Sequence, residues 1–414
     1  MKQKNDSTPN PLTQAQDFKF TEKVIVPLNI HGQGVVLISK QKDCDLTYLD
    51  LCLGSEHRAV KLSITNQSTT LYGLTGQGDW SPLVSSDDSL DQDPLCQYWL
   101  SIDSNNAVIR YGKGEIRGNT VILEYGLENH QHYLKPDDVG NETQSWLKLV
   151  QSVDILASDN RLDSSVLNDP VTIDPPLFVA SIDTISMDDI AFHQKTVIDN
   201  LPLACQQLYS NIAGKQFTLN TEAFPQFEQA INESILDKNG WCYKTLLNKI
   251  DEFGDDNPNE TYLRITMGVN QGNSPGIPFV MEIWPSEHGS PIHNHGDANA
   301  IIRVLSGEIT VNLFSMLSKF HSKPFATQTF KEGEITWISP GLNQTHQLRN
   351  IAPSGQACIT IQCYQYSTAN TQHYEYFDYL EPNGEIEQFT PNSDMGFLEF
   401  KSLMWQEWRQ RHGA

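Results

Sequence analysis

Paired cysteines, long apolar runs and positive charge are what this sequence lacks. Its 7 cysteines are scattered and form no Cys-x-x-Cys pair. Their odd number argues against a complete disulfide framework, so reduced thiols in a cytoplasmic protein are expected. No apolar run approaches the ~18 residues that a membrane-spanning helix needs. The opening Met1-Lys2-Gln3-Lys4-Asn5-Asp6 is polar, so no secretory signal is expected. Only 28 Lys and Arg stand against 51 Asp and Glu, a formal net charge of −23. That balance excludes nucleic acid or an anionic membrane as the main partner. What is present is core-forming material. Apolar residues make up 38% of 414, with 8 Trp, 17 Phe and 14 Tyr, enough for two or three domains.

Along the chain, residues 1–20 are polar and hold Pro9 and Pro11; a disordered tail is expected. Residues 21–150 read as a β-rich domain. Its short apolar runs include Lys23-Val24-Ile25-Val26, Val35-Val36-Leu37-Ile38, Ala59 to Ile64 and Tyr98 to Ile102. Turn residues such as Gly76-Gln77-Gly78 and Ser104-Asn105-Asn106 separate them, which suggests an antiparallel β-sandwich. The acidic stretch Ser85 to Asp93 offers carboxylates of the kind Ca²⁺ prefers, but without EF-hand spacing, and reads as a solvated loop. Order fades after about residue 128. A second His-x-His there, His130 and His132, has no strand and no third His beside it. Residues 151–194, rich in Asp and Pro, read as a linker.

Helical spacing then begins. Phe227, Ile231 and Ile235 share one face, Asn239-Gly240 is a stop signal, and Trp241 to Phe253 makes a second helix. Strands return from Tyr262 to about Phe377, and the tail Phe397, Phe400, Met404, Trp408 has helical spacing, expected to pack outside them. Residues 195–414 thus form one expected unit.

The chemistry concentrates in that unit. In Gly289-Ser290-Pro291-Ile292-His293-Asn294-His295-Gly296, side chains two apart on a strand share a face. His293 and His295 therefore aim at one point. Thr345-His346-Gln347-Leu348-Arg349-Asn350 follows a second strand and the Pro340-Gly341 break, and could add a third imidazole. Imidazole suits Zn, Cu, Fe and Ni.

These residues resemble the two motifs of the cupin superfamily: Gly289, His293, His295, Gly307, and then Pro340, Gly341, His346, Asn350. Most cupins carry a metal-binding Glu where this chain has Ala300. With Tyr262-Leu263-Arg264 upstream, Trp284 nine residues before His293, and Tyr366-Ser367 late in the chain, the second half is similar to the cysteine dioxygenase family.

That resemblance implies a cupin β-barrel preceded by two helices, and an Fe(II) centre on His293, His295 and His346. It also implies Arg264 as holder of the substrate carboxylate, Tyr262 and Trp284 as lining, and Tyr366 as the catalytic tyrosine. Tyr364 is the alternative for that last role, which would put Gln362 where many members carry a His. Some members join the tyrosine to a Cys at the Ala300 position, so no thioether is expected here.

The implied reaction is oxidation of L-cysteine to cysteine sulfinate by O₂. Another thiol acid such as 3-mercaptopropionate, a different metal-cupin enzyme and a non-catalytic cupin sensor remain open. The role of the N-terminal domain and the oligomeric state are not legible.

Overall fold

The computed structural model describes residues 23–413 apart from 55–58, 75–77, 128–142, 215, 255, 268–278, 353–354 and 367–375. The expected tail 1–20, His130, His132 and Ser367 lie outside the described residues.

In the N-terminal half, alternation drives the architecture. Tyr48–Gly54 and Ala59–Thr65 each switch between half-buried and buried at every residue until near their ends. Such strands need a second layer to cover the apolar side. Two antiparallel sheets provide it. One has six strands in the order Val24–Pro27, Ser152–Ala157, Tyr48–Gly54, Ala59–Thr65, Thr69–Leu74, Trp80–Ser86. The other has five, in the order Leu162–Leu167, Gln33–Lys40, Gln97–Asp103, Val108–Lys113, Val121–Gly126. Leu49, Leu51, Leu62 and Ile64 of the first share one core with Ile38, Tyr98, Leu100 and Tyr111 of the second. This is the sandwich expected from the sequence.

The stretch 151–194 differs from the linker reading. Ser152–Ala157 is an inner strand, paired with both Val24–Pro27 and Tyr48–Gly54. Leu162–Leu167 pairs with Gln33–Lys40. The physical reason is the period-two burial of Val153, Ile155 and Ala157, which outweighs the Asp and Pro content around it. Farther on, Phe178–Ala180 pairs in parallel with Lys195–Val197. The short helix Met187–Ala191 is capped by Ser186 and Asp189 reciprocally.

In the second half three helices, Leu203–Ile212, Phe227–Leu236 and Trp241–Leu247, precede the sheets instead of the two expected. The last of them stops at Leu247, short of Phe253. Phe227, Ala230 and Ile231 are buried, and the terminal helix Phe397–His412 packs over that face through Phe400.

A six-stranded sheet runs Ile335–Ile338, Asn299–Ser306, Cys358–Gln365, Phe279–Trp284, Leu263–Met267, Met395–Gly396. A three-stranded sheet runs Ala326–Lys331, Glu308–Leu313, His346–Arg349. A two-stranded ladder pairs Phe377–Leu380 with Ile386–Phe389, and among the described residues these ladders do not join into one closed barrel. The sheets pack on each other through Trp284, Val304 and Cys358 against Ile309, Val311, Leu313 and Phe330. Isolated bridges, Gly289 with Arg349 and His293 with His346, stitch them together beside the histidines.

The two halves also touch. Trp337 Nε1 donates to Pro176 O at 3.0 Å, and Glu115 N donates to Ser315 O at 2.7 Å. The acidic loop of the sandwich is met by side chains from elsewhere in the fold. Lys113 Nζ lies 2.9 Å from Asp88 and 3.4 Å from Asp91, and His321 Nε2 lies 3.1 Å from Asp91.

Candidate metal centre

The centre is assembled by a close backbone approach. Gly289 faces the chain around Leu348; a Cβ there would meet Leu348 O at 2.4 Å, so only glycine fits. Four residues on, His293 N donates to His346 O at 3.0 Å and His346 N donates to His293 O at 2.9 Å. Two ligand-bearing residues are thereby locked face to face. His295 follows in irregular backbone rather than on a ladder strand, because Pro291 lacks an N–H and Gly296 turns with φ +54. The convergence expected from the spacing survives without the strand.

Each ring is oriented. His293 Nδ1 lies 3.0 Å from Pro291 O, and His346 Nδ1 lies 3.0 Å from Asn343 O. In both, Nδ1–H bound to a carbonyl leaves Nε2 with its lone pair. His293 Nε2 and His295 Nε2 are 3.1 Å apart, and one nitrogen from each of the three rings lies within 4.8 Å of the others. His295 Nδ1 is buried without a hydrogen-bond partner.

Desolvation keeps all three imidazoles neutral. His293 is pulled down to about 3, with the neighbouring His346 adding to the effect, and His346 to about 4; His295 falls well below its ordinary value. Neutral, converging, pre-oriented imidazoles fit a divalent transition metal. Among the described residues no carboxylate joins them. Ala300, where an acid would stand, is buried opposite Ile338 and Tyr364.

A pH consequence follows. In the unfolded chain a histidine takes up a proton near pH 6.5. In the fold these do not until about pH 4 or lower. Below pH 6.5 the unfolded state therefore binds more protons, and stability falls with falling pH. Metal-free protein is expected to show a lower urea midpoint at pH 5 than at pH 7.5. A His293→Gln/His346→Gln variant is expected to show a smaller drop; an equal drop in both proteins contradicts the assignment.

Beside the histidines lies a pocket walled by Tyr262, Arg264, Glu282, Trp284, Tyr364 and Phe377, among others. The pocket is narrow, with an accessible volume of about 20 Å³. Tyr262 stacks on Trp284 with ring centroids 4.2 Å apart, and Trp284 Nε1 donates to Thr360 Oγ1 at 3.3 Å. Both side chains stand in the wall of this pocket.

Arg264 is there too, but not as a lone clamp. Its NH1 lies 2.6 Å from Glu282 Oε1, and both side chains are buried. Glu282 Oε2 accepts from Gln362 Nε2, and Gln362 Oε1 accepts from the Tyr364 hydroxyl. Burial pushes the Glu282 carboxyl up and Arg264 opposes it, while Glu282 holds the Arg264 proton more firmly than usual. Glu282 was missed in the sequence. Its signal was available, because it lies two residues before Trp284 on a strand and so faces the same side.

The tyrosine expectation shifts. Tyr364, not Tyr366, lines the pocket, its ring 5.6 Å from that of His295. Tyr366 is buried in the same apolar cluster as Tyr364, with Val280, Ala298 and Ile302.

Fold and site together define a mainly β protein with a buried three-histidine centre. Residues 248–375 match the model of the family described as "Cysteine dioxygenase type I", and the first half of the chain is left without a family. Solved structures of cupin proteins overlap weakly.

The cupin domain of Schizosaccharomyces pombe Cnp3 has 13% identity and a TM-score of 0.21, with 26% of this chain and 66% of that chain covered, just under two thirds. A putative sugar phosphate isomerase from Acidithiobacillus ferrooxidans has 16% identity and a TM-score of 0.21, with 32% and 79% covered. The DMSP lyase DddQ from Ruegeria pomeroyi has 16% identity and a TM-score of 0.20, with 26% and 49% covered. Among the described residues, no helix is long and apolar enough to cross a membrane.

Proposed function

We propose that the protein is an Fe(II)-dependent thiol dioxygenase that converts L-cysteine and O₂ to cysteine sulfinate. The observation that carries this reading is a buried Arg–Glu pair standing beside three converging neutral imidazoles. His293, His295 and His346 would hold the iron. Bound Fe(II) would supply the redox chemistry that lets O₂ oxidise a thiolate. The overall change balances as RSH + O₂ → RSO₂H. The O–O bond breaks, two S–O bonds form, and sulfur loses the four electrons that oxygen gains.

The chain's own residues bind and orient. Arg264 keeps guanidinium donors beyond the NH1 that Glu282 takes, and these fit a carboxylate. Glu282 offers an anion for the ammonium group of the same zwitterion, the partner that the sequence alone did not reveal. Tyr364 ends the Glu282–Gln362 chain with its hydroxyl donating to Gln362; turned away from Gln362, the same O–H would donate to the reacting sulfur or oxygen. Trp284 and Tyr262 form an aromatic wall that excludes water.

The same pair carries a second reading, a thiol with an ammonium and no carboxylate. Glu282 by itself would recognise it.

The test is O₂ uptake by protein reconstituted anaerobically with Fe(II), offered L-cysteine, 3-mercaptopropionate and cysteamine in parallel. The expected order has cysteine ahead of each analogue by roughly 10- to 100-fold in kcat/KM, because an unmet charged partner costs about 1.5–3 kcal/mol. Faster turnover of cysteamine would select the second reading. One bound iron with no uptake on any of the three would end the small-thiol proposal.

A further inference from the structure

The loop that delivers His346 is held by the N-terminal half. After strand Val108–Lys113 the chain turns at Gly114, with φ +73, where a Cβ would meet Ser315 O at 2.1 Å. That turn carries Glu115 into the second half. Its carboxylate accepts three consecutive backbone N–H groups: Asn343 at 3.2 Å on Oε2, then Gln344 at 2.8 Å and Thr345 at 3.1 Å on Oε1. Successive N–H groups around one anion form a nest, and here the anion comes from the other half of the chain.

Arg117 completes the hold. Its NH1 donates to Asn343 Oδ1 at 2.8 Å and to Glu115 Oε2 at 3.1 Å, and its Nε donates to Asp174 at 3.1 Å. Arg117 and Asn343 are 3% and 2% exposed, so water does not compete for these bonds.

Asn343 is the link to the metal centre. It sits in the left-handed region with φ +65, and its Nδ2 donates to Trp337 O at 3.2 Å. Its carbonyl faces His346 Nδ1, the contact that sets the tautomer and ring direction of that ligand.

We infer that Glu115 and Arg117 are positioning residues for His346, and that the N-terminal sandwich is a structural part of the metal centre rather than an appended module. This rests on the three-histidine reading above. Lost outer-shell partners typically weaken metal binding about 10- to 100-fold. The same range is expected for Glu115→Ala.

The test uses full-length protein loaded with Co(II), whose visible spectrum reports ligand geometry. Chelator competition gives the affinity, and hydrogen exchange follows the amides of Asn343, Gln344 and Thr345. Glu115→Ala is expected to weaken Co(II) binding 10- to 100-fold, alter the spectrum and speed exchange at those amides. Glu115→Asp is expected to recover part of each. If Glu115→Ala does not fold, the isosteric Glu115→Gln replaces one acceptor by a donor and serves the same purpose. Asp91→Asn is the control, because it loosens another contact between the halves, that with His321, without touching 343–345.

Folded Glu115 variants with wild-type affinity and spectrum overturn the inference. So does Asp91→Asn weakening Co(II) as much as Glu115→Ala does. A wild-type protein that binds no Co(II) overturns the metal centre itself, and this inference with it.

Discussion

His346→Ala is expected to abolish O₂ uptake and to lower metal affinity on the order of 1000-fold, since losing only a ligand's supporting partner already costs about 10- to 100-fold. The expectation is specific because the substitution leaves the local backbone able to fold. The pairing of residue 346 with His293 runs through backbone N–H and carbonyl groups at 3.0 and 2.9 Å, which alanine keeps. What disappears is one of three Nε2 donors, and no described carboxylate stands ready to replace it. Asn343 O loses its imidazole donor as well, a loss of about 1 kcal/mol in stability. Metal content by elemental analysis and O₂ uptake on the same preparation check it. A variant that retains stoichiometric metal would remove His346 from the centre.

Arg264→Met carries the second large effect, and its first readout is stability. It leaves the Glu282 carboxylate buried with Gln362 as its remaining side-chain partner. Removing one member of a buried ion pair costs about 3–5 kcal/mol, whereas replacing both by apolar residues is often neutral. Urea unfolding of Arg264→Met is therefore expected to show that loss. Arg264→Met/Glu282→Leu is expected to regain most of it without regaining thiol-acid turnover.

The sign with pH separates this cause from simple loss of packing. In the single variant, burial raises the Glu282 pKa above its unfolded value. Its penalty is then absent at low pH, where both states are protonated, and grows as pH rises through the carboxylate range. A pH-independent loss, or a double variant as unstable as the single one, would contradict the buried-charge account.

The tyrosine at the site illustrates how far motif spacing reaches. Tyr364 and Tyr366 share a strand face by alternation, so the sequence could narrow the choice to two but not to one. Register brings Tyr364 to the wall of the pocket beside the histidines. Ala300 lies directly opposite Tyr364 between paired strands, and Tyr364 faces the His295 ring. Tyr366 is one pleat farther along, in an apolar cluster that also holds Tyr364.

The sequence by itself brought out the grouping of His293, His295 and His346, the nearness of Arg264, Tyr262 and Trp284 to it, and the β-rich character of both halves. Those features are carried by local signals, such as a two-residue alternation, a glycine where backbones approach, or a spacing along one strand. Tertiary structure alone decided three others. Glu282 meets Arg264 only because Leu263–Met267 and Phe279–Trp284 pair in one register of several possible. Ser152–Ala157 becomes an inner strand only because its neighbours leave a slot between Val24–Pro27 and Tyr48–Gly54. Glu115 reaches the loop before His346 across more than half the chain. No local propensity encodes a contact over that separation; it exists because two independently buried cores dock and leave a carboxylate facing a row of unpaired N–H groups.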